Sequence, residues 1–111
     1  MELDMKTFQE LKEMSGADFI DELVDTFLED APKLIKEMES ALQTKDAESF
    51  RRAAHSLKSN GATFGANHLS SLAKEMEMLG KENKLADAEG RMKPLEEVLR
   101  SVAAELRGLR K

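Results

Sequence analysis

Apolar residues recur every three or four positions along almost the whole chain, which is the period of one face of an α-helix. The first run, from Asp4 to about Met14, turns Phe8 and Leu11 to one side, with Asp4 as its N-cap and Ser15-Gly16 as its end. From Ala17 to about Thr44, Ile20, Leu23, Phe27, Ala31, Leu34, Met38 and Leu42 keep a 3, 4, 4, 3, 4, 4 spacing that predicts one long helix. Pro32 lies inside it, and because the apolar phase passes the proline without a slip, one kinked helix is expected rather than two. Lys45 opens a turn and Asp46 caps a third helix running to about Phe64, where Gly65 stops it. Its buried stripe is Phe50, Ala54, Leu57, Gly61 and Phe64, spaced 4, 3, 4, 3. Asn67 is expected to cap a fourth helix with Leu69, Leu72, Met76 and Leu79 inward, closed by Gly80 and Asn83. The last segment, from about Leu85 to Leu109, keeps the helical spacing through Ala88, Met92, Leu95, Leu99, Val102 and Leu106. It is expected to kink or fray near Gly90-Pro94 and to be secure from Leu95 onward.

The two helices flanking Gly65 are joined by two or three residues at most, so they must lie antiparallel. The expected fold is all-α, an up-and-down antiparallel four-helix bundle with an additional short N-terminal helix, forming one domain over residues 1–111. A chain of this size buries roughly 65% of its unfolded surface, enough for one core. With no Trp or Tyr, five Phe and seven Met, that core is aliphatic, and Met38, Met76 and Met92 fall on its stripes.

Composition narrows the function. Without cysteine there are no disulfides, thiolate metal sites or cysteine nucleophiles. No apolar run approaches the roughly 20 residues that cross a bilayer, and the acidic start Met1-Glu2-Leu3-Asp4 is unlike a signal peptide, so a cytoplasmic protein without membrane contact is expected. Net charge is −5 but unevenly placed. Residues 1–49 hold 14 acids and 5 bases (net −9), and residues 50–111 hold 8 acids and 12 bases (net +4). An acidic chain without a basic stripe or stacking aromatics is not suited to nucleic acid.

His55 belongs to the positive half and lies off the apolar stripe, about 100° round the helix from Ala54. Its three- and four-residue neighbours are Arg51, Arg52, Lys58 and Ser59, of which three are cationic, and Ser59 and Ala62 leave room above it. Such an imidazole is placed to meet a phosphoryl group. An exposed imidazole with an ordinary pKa of about 6.5 is mostly neutral, hence nucleophilic, at pH 7, and nearby cations favour that form and attract the anionic product. His68 has Phe64, Gly65, Ser71 and Leu72 as helical neighbours, none of them a ligand or base, so a surface role is expected. A metal site shared with His55 is disfavoured, because cations and not carboxylates share the His55 face. No glycine-rich nucleotide loop and no acid cluster for Mg²⁺ is present.

His55-Ser56-Leu57-Lys58, followed by small residues with Gly65 ten positions after the histidine, resembles the signature of histidine-containing phosphotransfer (HPt) domains of multistep two-component phosphorelays. Asp18-Phe19-Ile20 with Leu23 and Phe27, and Leu69, Leu72, Met76 and Leu79, also look like that family's helices, so the resemblance spans nearly the whole chain. One departure is Ser59, where the family usually has glycine. The resemblance implies a phosphorelay intermediate that accepts a phosphoryl group on His55 from a receiver-domain aspartate or hybrid sensor histidine kinase and passes it to a response-regulator aspartate. It implies Lys58 as phosphate stabiliser and Ser59, Ala62, Arg51 and Arg52 as the partner-facing set. It further implies a monomeric covalent carrier rather than an enzyme, binding no cofactor itself, with Mg²⁺ on the partner receiver. Two rivals share the residues: the phosphoacceptor domain of a chemotaxis-type histidine kinase, and a non-phosphorylated helical adaptor that binds receiver domains. All phosphoacceptor readings require the His55 ring to be open to water, neither enclosed by hydrocarbon nor immobilised in a carboxylate ion pair.

Overall fold

Two aspartates begin helices by the same device. The Asp4 carboxylate accepts the Lys6 N–H at 3.1 Å, and that of Asp46 accepts the Ser49 N–H at 3.1 Å, each satisfying a first-turn donor that the helix itself leaves open. The computed structural model of the protein describes residues 2–110. Its helices are α1 (Met5–Ser15), α2 (Ala17–Thr44), α3 (Ala47–Thr63), α4 (Asn67–Lys81), α5 (Leu85–Glu89) and α6 (Met92–Leu109), with no strand among the described residues. The four long ones form the bundle. The 28 residues of α2 run unbroken through Pro32, which is exposed.

The final segment is two helices and not one. Continued through Gly90, a helix would set the Pro94 ring against the Gly90 carbonyl four residues back. The chain instead closes α5 at Gly90 and restarts at Met92, leaving Pro94 in a first turn, where a missing N–H costs nothing.

The expected stripes hold in α3 and α6, and in α2 and α4 some of their positions are exchanged for an adjacent residue. In α2 the buried line includes Val24, Ile35 and Ala41, while Leu23, Leu34 and Leu42 flank it half-buried. In α4, Ala73 and Gly80 hold the centre and Leu72 and Leu79 the flanks. Small residues take the line of closest approach because they let backbones come together. A Cβ on Gly80 would lie 3.1 Å from the Arg51 Cα and backbone N, and one on Gly61 3.3 Å from Leu69 Cδ2. Gly80 is therefore a crossing point of α3 and α4, not the stop expected of it. The helix ends at Lys81, and Asn83 takes the left-handed turn at φ 58°. Nor does Asn67 act as a cap. Ala66 occupies that position, and no side chain bonds the first-turn amides.

Gly65 does end the third helix. Its φ of 77° suits glycine, and a Cβ there would stand 2.9 Å from Thr7 Cβ. The Asp4 N–H donates to the Gly65 carbonyl at 2.9 Å, tying the start of α1 to the α3–α4 turn. Phe27 and Phe64 meet edge to face at 5.4 Å beside it, each nearly fully buried. The α3–α4 hairpin is thus fixed in register at the turn and again at Gly80.

Candidate functional site

The buried stripe of α3 turns His55 outward. Phe50, Ala54, Leu57 and Gly61 face the core, leaving Arg52, His55, Ser56, Ser59 and Ala62 exposed along the opposite side. The His55 side chain is 53% exposed, so half the ring faces solvent. Ser59 and Ala62, toward the C-terminal end of the helix, are small and exposed.

The hairpin register brings Glu77 of α4 opposite His55. One carboxylate oxygen, Oε2, lies 2.7 Å from His55 Nδ1, and the other, Oε1, accepts from Lys58 Nζ at 2.8 Å. Glu77 thus bridges the two residues of the signature. Its side chain is 15% exposed, and the Lys58 ammonium first, then the His55 hydrogen bond, hold its carboxyl below the usual glutamate range against the opposing pull of burial. An ionised carboxylate only accepts, so the hydrogen of the ring nitrogen facing it is on Nδ1. In the neutral ring Nε2 then carries the lone pair, and among the described residues it has no hydrogen-bond partner.

This corrects two expectations: that the His55 face carries cations alone, and that a carboxylate ion pair would disqualify the ring as a phosphoacceptor. A carboxylate does hold the ring, yet by one nitrogen, leaving the other free and the ring half in water. The contact orients the imidazole without engaging its second nitrogen. Lys58 is correspondingly bonded to Glu77 rather than left free above the ring. Arg51 is drawn back one turn to Glu48, which lies 2.5 Å from its guanidinium. Arg52 turns to the α2 side, lining an open groove of about 620 Å³ with Lys36, Asp46 and Ser56. Of the six predicted site residues, only His55 and Lys58 meet, and they meet through a residue not predicted. Lys74 and Lys81, exposed and one turn either side of Glu77, add positive charge to this face.

His68 stands apart. Its Nδ1 is 3.1 Å from a Glu2 carboxylate oxygen, a partner its helical neighbours did not supply, and the pair closes the N-terminal segment over the bundle. Among the described residues the large exposed apolar side chains are Met14 and Phe19 at the α1–α2 corner and Met78 on α4. Among the described residues no three His, Asp or Glu side chains gather as a metal site, and no helix is long and apolar enough to cross a membrane.

The bundle thus presents one oriented, half-exposed imidazole on its surface. Comparison with known proteins identifies the family. Residues 22–109 match the Hpt domain family. The chain is 32% identical over 102 residues to the sensor protein TorS of Escherichia coli (strain K12), which covers 92% of this chain but only 10% of TorS. The crystal structure of histidine-containing phosphotransfer protein B (HptB) from Pseudomonas aeruginosa PAO1 superposes with a TM-score of 0.93 at 28% identity, covering 98% of this chain and 94% of that one. The chain belongs to the Hpt domain family, the histidine phosphotransfer carriers of two-component phosphorelays, which work with receiver domains and hybrid kinases.

Proposed function

We propose that His55 is the phosphoacceptor and that its Nε2 exchanges a phosphoryl group with the active-site aspartates of receiver domains. The observation that carries this is a half-exposed ring whose Nδ1 is bonded to a carboxylate while Nε2 has no hydrogen-bond partner among the described residues. The Nε2 lone pair attacks phosphorus as the bond to the aspartyl oxygen breaks and the aspartate leaves as a carboxylate. The ring gains positive charge as it does so, and Glu77, 2.7 Å from the Nδ1–H, is positioned to stabilise that charge. Return transfer to a second aspartate reverses the same steps.

In-line transfer requires the partner's pocket to descend to about 3–3.5 Å from the ring, and Ser59 and Ala62 are small enough to admit it. Mg²⁺ is supplied by the receiver, this chain acting as a monomeric cytoplasmic carrier without a catalytic site of its own. The test is incubation with a receiver charged by acetyl phosphate and Mg²⁺. Acid-labile, base-stable label that appears on the wild type and not on His55→Gln is the expected result. Label that persists on His55→Gln, or receiver binding with no transfer to the wild type, overturns the assignment, the second outcome in favour of an adaptor.

A further inference from the structure

Lys93, Arg100 and Arg107 follow one another at seven-residue intervals on α6, two turns apart, so they stand in a single row along the helix. Lys36 of α2 faces that row across an open groove of about 510 Å³, whose floor is Ile35, Leu99 and Ala103. α2 and α6 run antiparallel here, Asp25 meeting Arg110 at one end. His55 does not line this groove.

All four cations are exposed, and among the described residues none of them forms an ion pair or a side-chain hydrogen bond. Arg51, Arg91 and Arg110 behave differently, each being paired with a carboxylate. Two acids, Glu39 and Glu96, share the groove's rim without bonding to these cations. A chain of net charge −5 therefore keeps four cations without ion pairs, against two acids, on the rim of an apolar floor.

We propose that this groove docks an acidic amphipathic helix of a partner protein. The row from Lys93 to Arg107 is about 21 Å long at 1.5 Å per residue, the length of four helical turns. Its two-turn repeat matches carboxylates spaced by seven on a facing helix, whose apolar side chains at three- and four-residue steps then cover the floor. A concave trough between two helices suits a third helix better than a flat bilayer, and it has no aromatic side chain on which a nucleic-acid base would stack. The inference does not depend on phosphate acceptance by His55.

The probe is a fluorescein-labelled 18-residue peptide with leucines at helical spacing flanked by glutamates, titrated into the full chain and followed by anisotropy, with amide shift mapping to locate it. Saturable binding that perturbs α2 and α6 is expected. It should weaken at least tenfold when the leucine spacing is scrambled at constant composition, and at least tenfold in Arg100→Glu/Arg107→Glu, which still accepts phosphoryl groups at the wild-type rate. Equal binding of the scrambled peptide, or binding indifferent to the double substitution, overturns the proposal. So does preferential binding to phosphatidylserine vesicles, which assigns the groove to a lipid surface. A self-association in sedimentation that the double substitution abolishes also overturns it and assigns the groove to a second copy.

Discussion

Removing the Glu77 carboxylate should slow phosphoryl transfer without unfolding the protein. The carboxylate bonds both His55 Nδ1 and Lys58 Nζ at under 3 Å. A hydrogen bond to a charged group contributes about 1.5–3 kcal/mol, which at 1.36 kcal/mol per decade is roughly 10- to 150-fold in rate if all of it acts in the transition state. Half the His55 ring is in water, which can replace the lost acceptor, so the lower end is the better expectation: about tenfold for Glu77→Ala. Glu77→Gln separates two effects. Its amide oxygen can still accept the Nδ1–H and keep the tautomer, but it lacks the negative charge that answers the ring's developing positive charge, so it should fall between wild type and alanine. The measurement is single-turnover transfer from a phosphorylated receiver, paired with ¹⁵N spectra of the His55 ring. Both variants should melt within a few degrees of wild type, since an ion pair of this kind contributes about 1 kcal/mol or less. A Glu77→Ala protein that transfers within twofold of the wild-type rate, or wild-type spectra with the hydrogen on Nε2, would refute the reasoning.

Lys58→Ala is expected to leave slow transfer where His55→Gln leaves none, and Lys58→Ala/Glu77→Ala should be little slower than Glu77→Ala alone, because the lysine acts through the carboxylate; additive losses in the double variant would place Lys58 on the phosphate itself. The Glu77 carboxyl is held below its ordinary value of 4.5, so its contribution to stability is present above that pH and is lost as pH falls through the lower folded value. Denaturant midpoints of wild type and Glu77→Gln should therefore differ by a constant amount above about pH 5 and converge on further acidification; a gap that widens there would contradict the shift. Gly80→Ala should destabilise by about 1–2 kcal/mol, since crowding against the Arg51 backbone outweighs the roughly 1 kcal/mol gain in helix propensity, whereas Gly108→Ala, with nothing within 4 Å, should stabilise by up to about 1 kcal/mol. Thermal melts that rank the two the other way would show that α3 and α4 do not need that close approach.

The helix count and order were largely legible because apolar spacing reports which face is buried. Helix ends at Asp4, Asp46 and Gly65 were legible because each has a local cause. What failed depended on other helices. Gly80 reads as a terminator alone and as a crossing point only when Arg51 lies across from it. A leucine and the residue beside it fit the helical spacing of α2 and α4 about equally well, so spacing does not say which of the two takes the centre. In α2 and α4 the centre is shared with smaller side chains, since that line is where the helices approach most closely. Glu77 was missed for the same reason. His55 is ten residues before Gly65 and Glu77 twelve after it, so equal steps out from the turn would have set them nearly opposite. Spacing along one helix carries no information about the facing one, and the register becomes countable only when the turn's geometry is known.

The carboxylate also changes what the lysine of the signature does. Glu77 beside the ring favours the charge that builds on the imidazole, but the incoming phosphoryl group is itself anionic. With Glu77 on the Nδ1 side and phosphorus on Nε2, the two are on the order of 6 Å apart, where like unit charges repel by about 0.7 kcal/mol in water and nearly 3 at a surface-like dielectric. Lys58, 2.8 Å from the far oxygen, largely cancels that repulsion while leaving the near oxygen bonded to the ring. If His55 carries the phosphoryl group as proposed, the lysine expected to stabilise phosphate acts at one remove, by making the histidine's carboxylate partner compatible with an anionic substrate. On this view the lysine's position three residues after His55 is set by the reach to Glu77 across the hairpin, and a cation placed directly above the ring would do a different job.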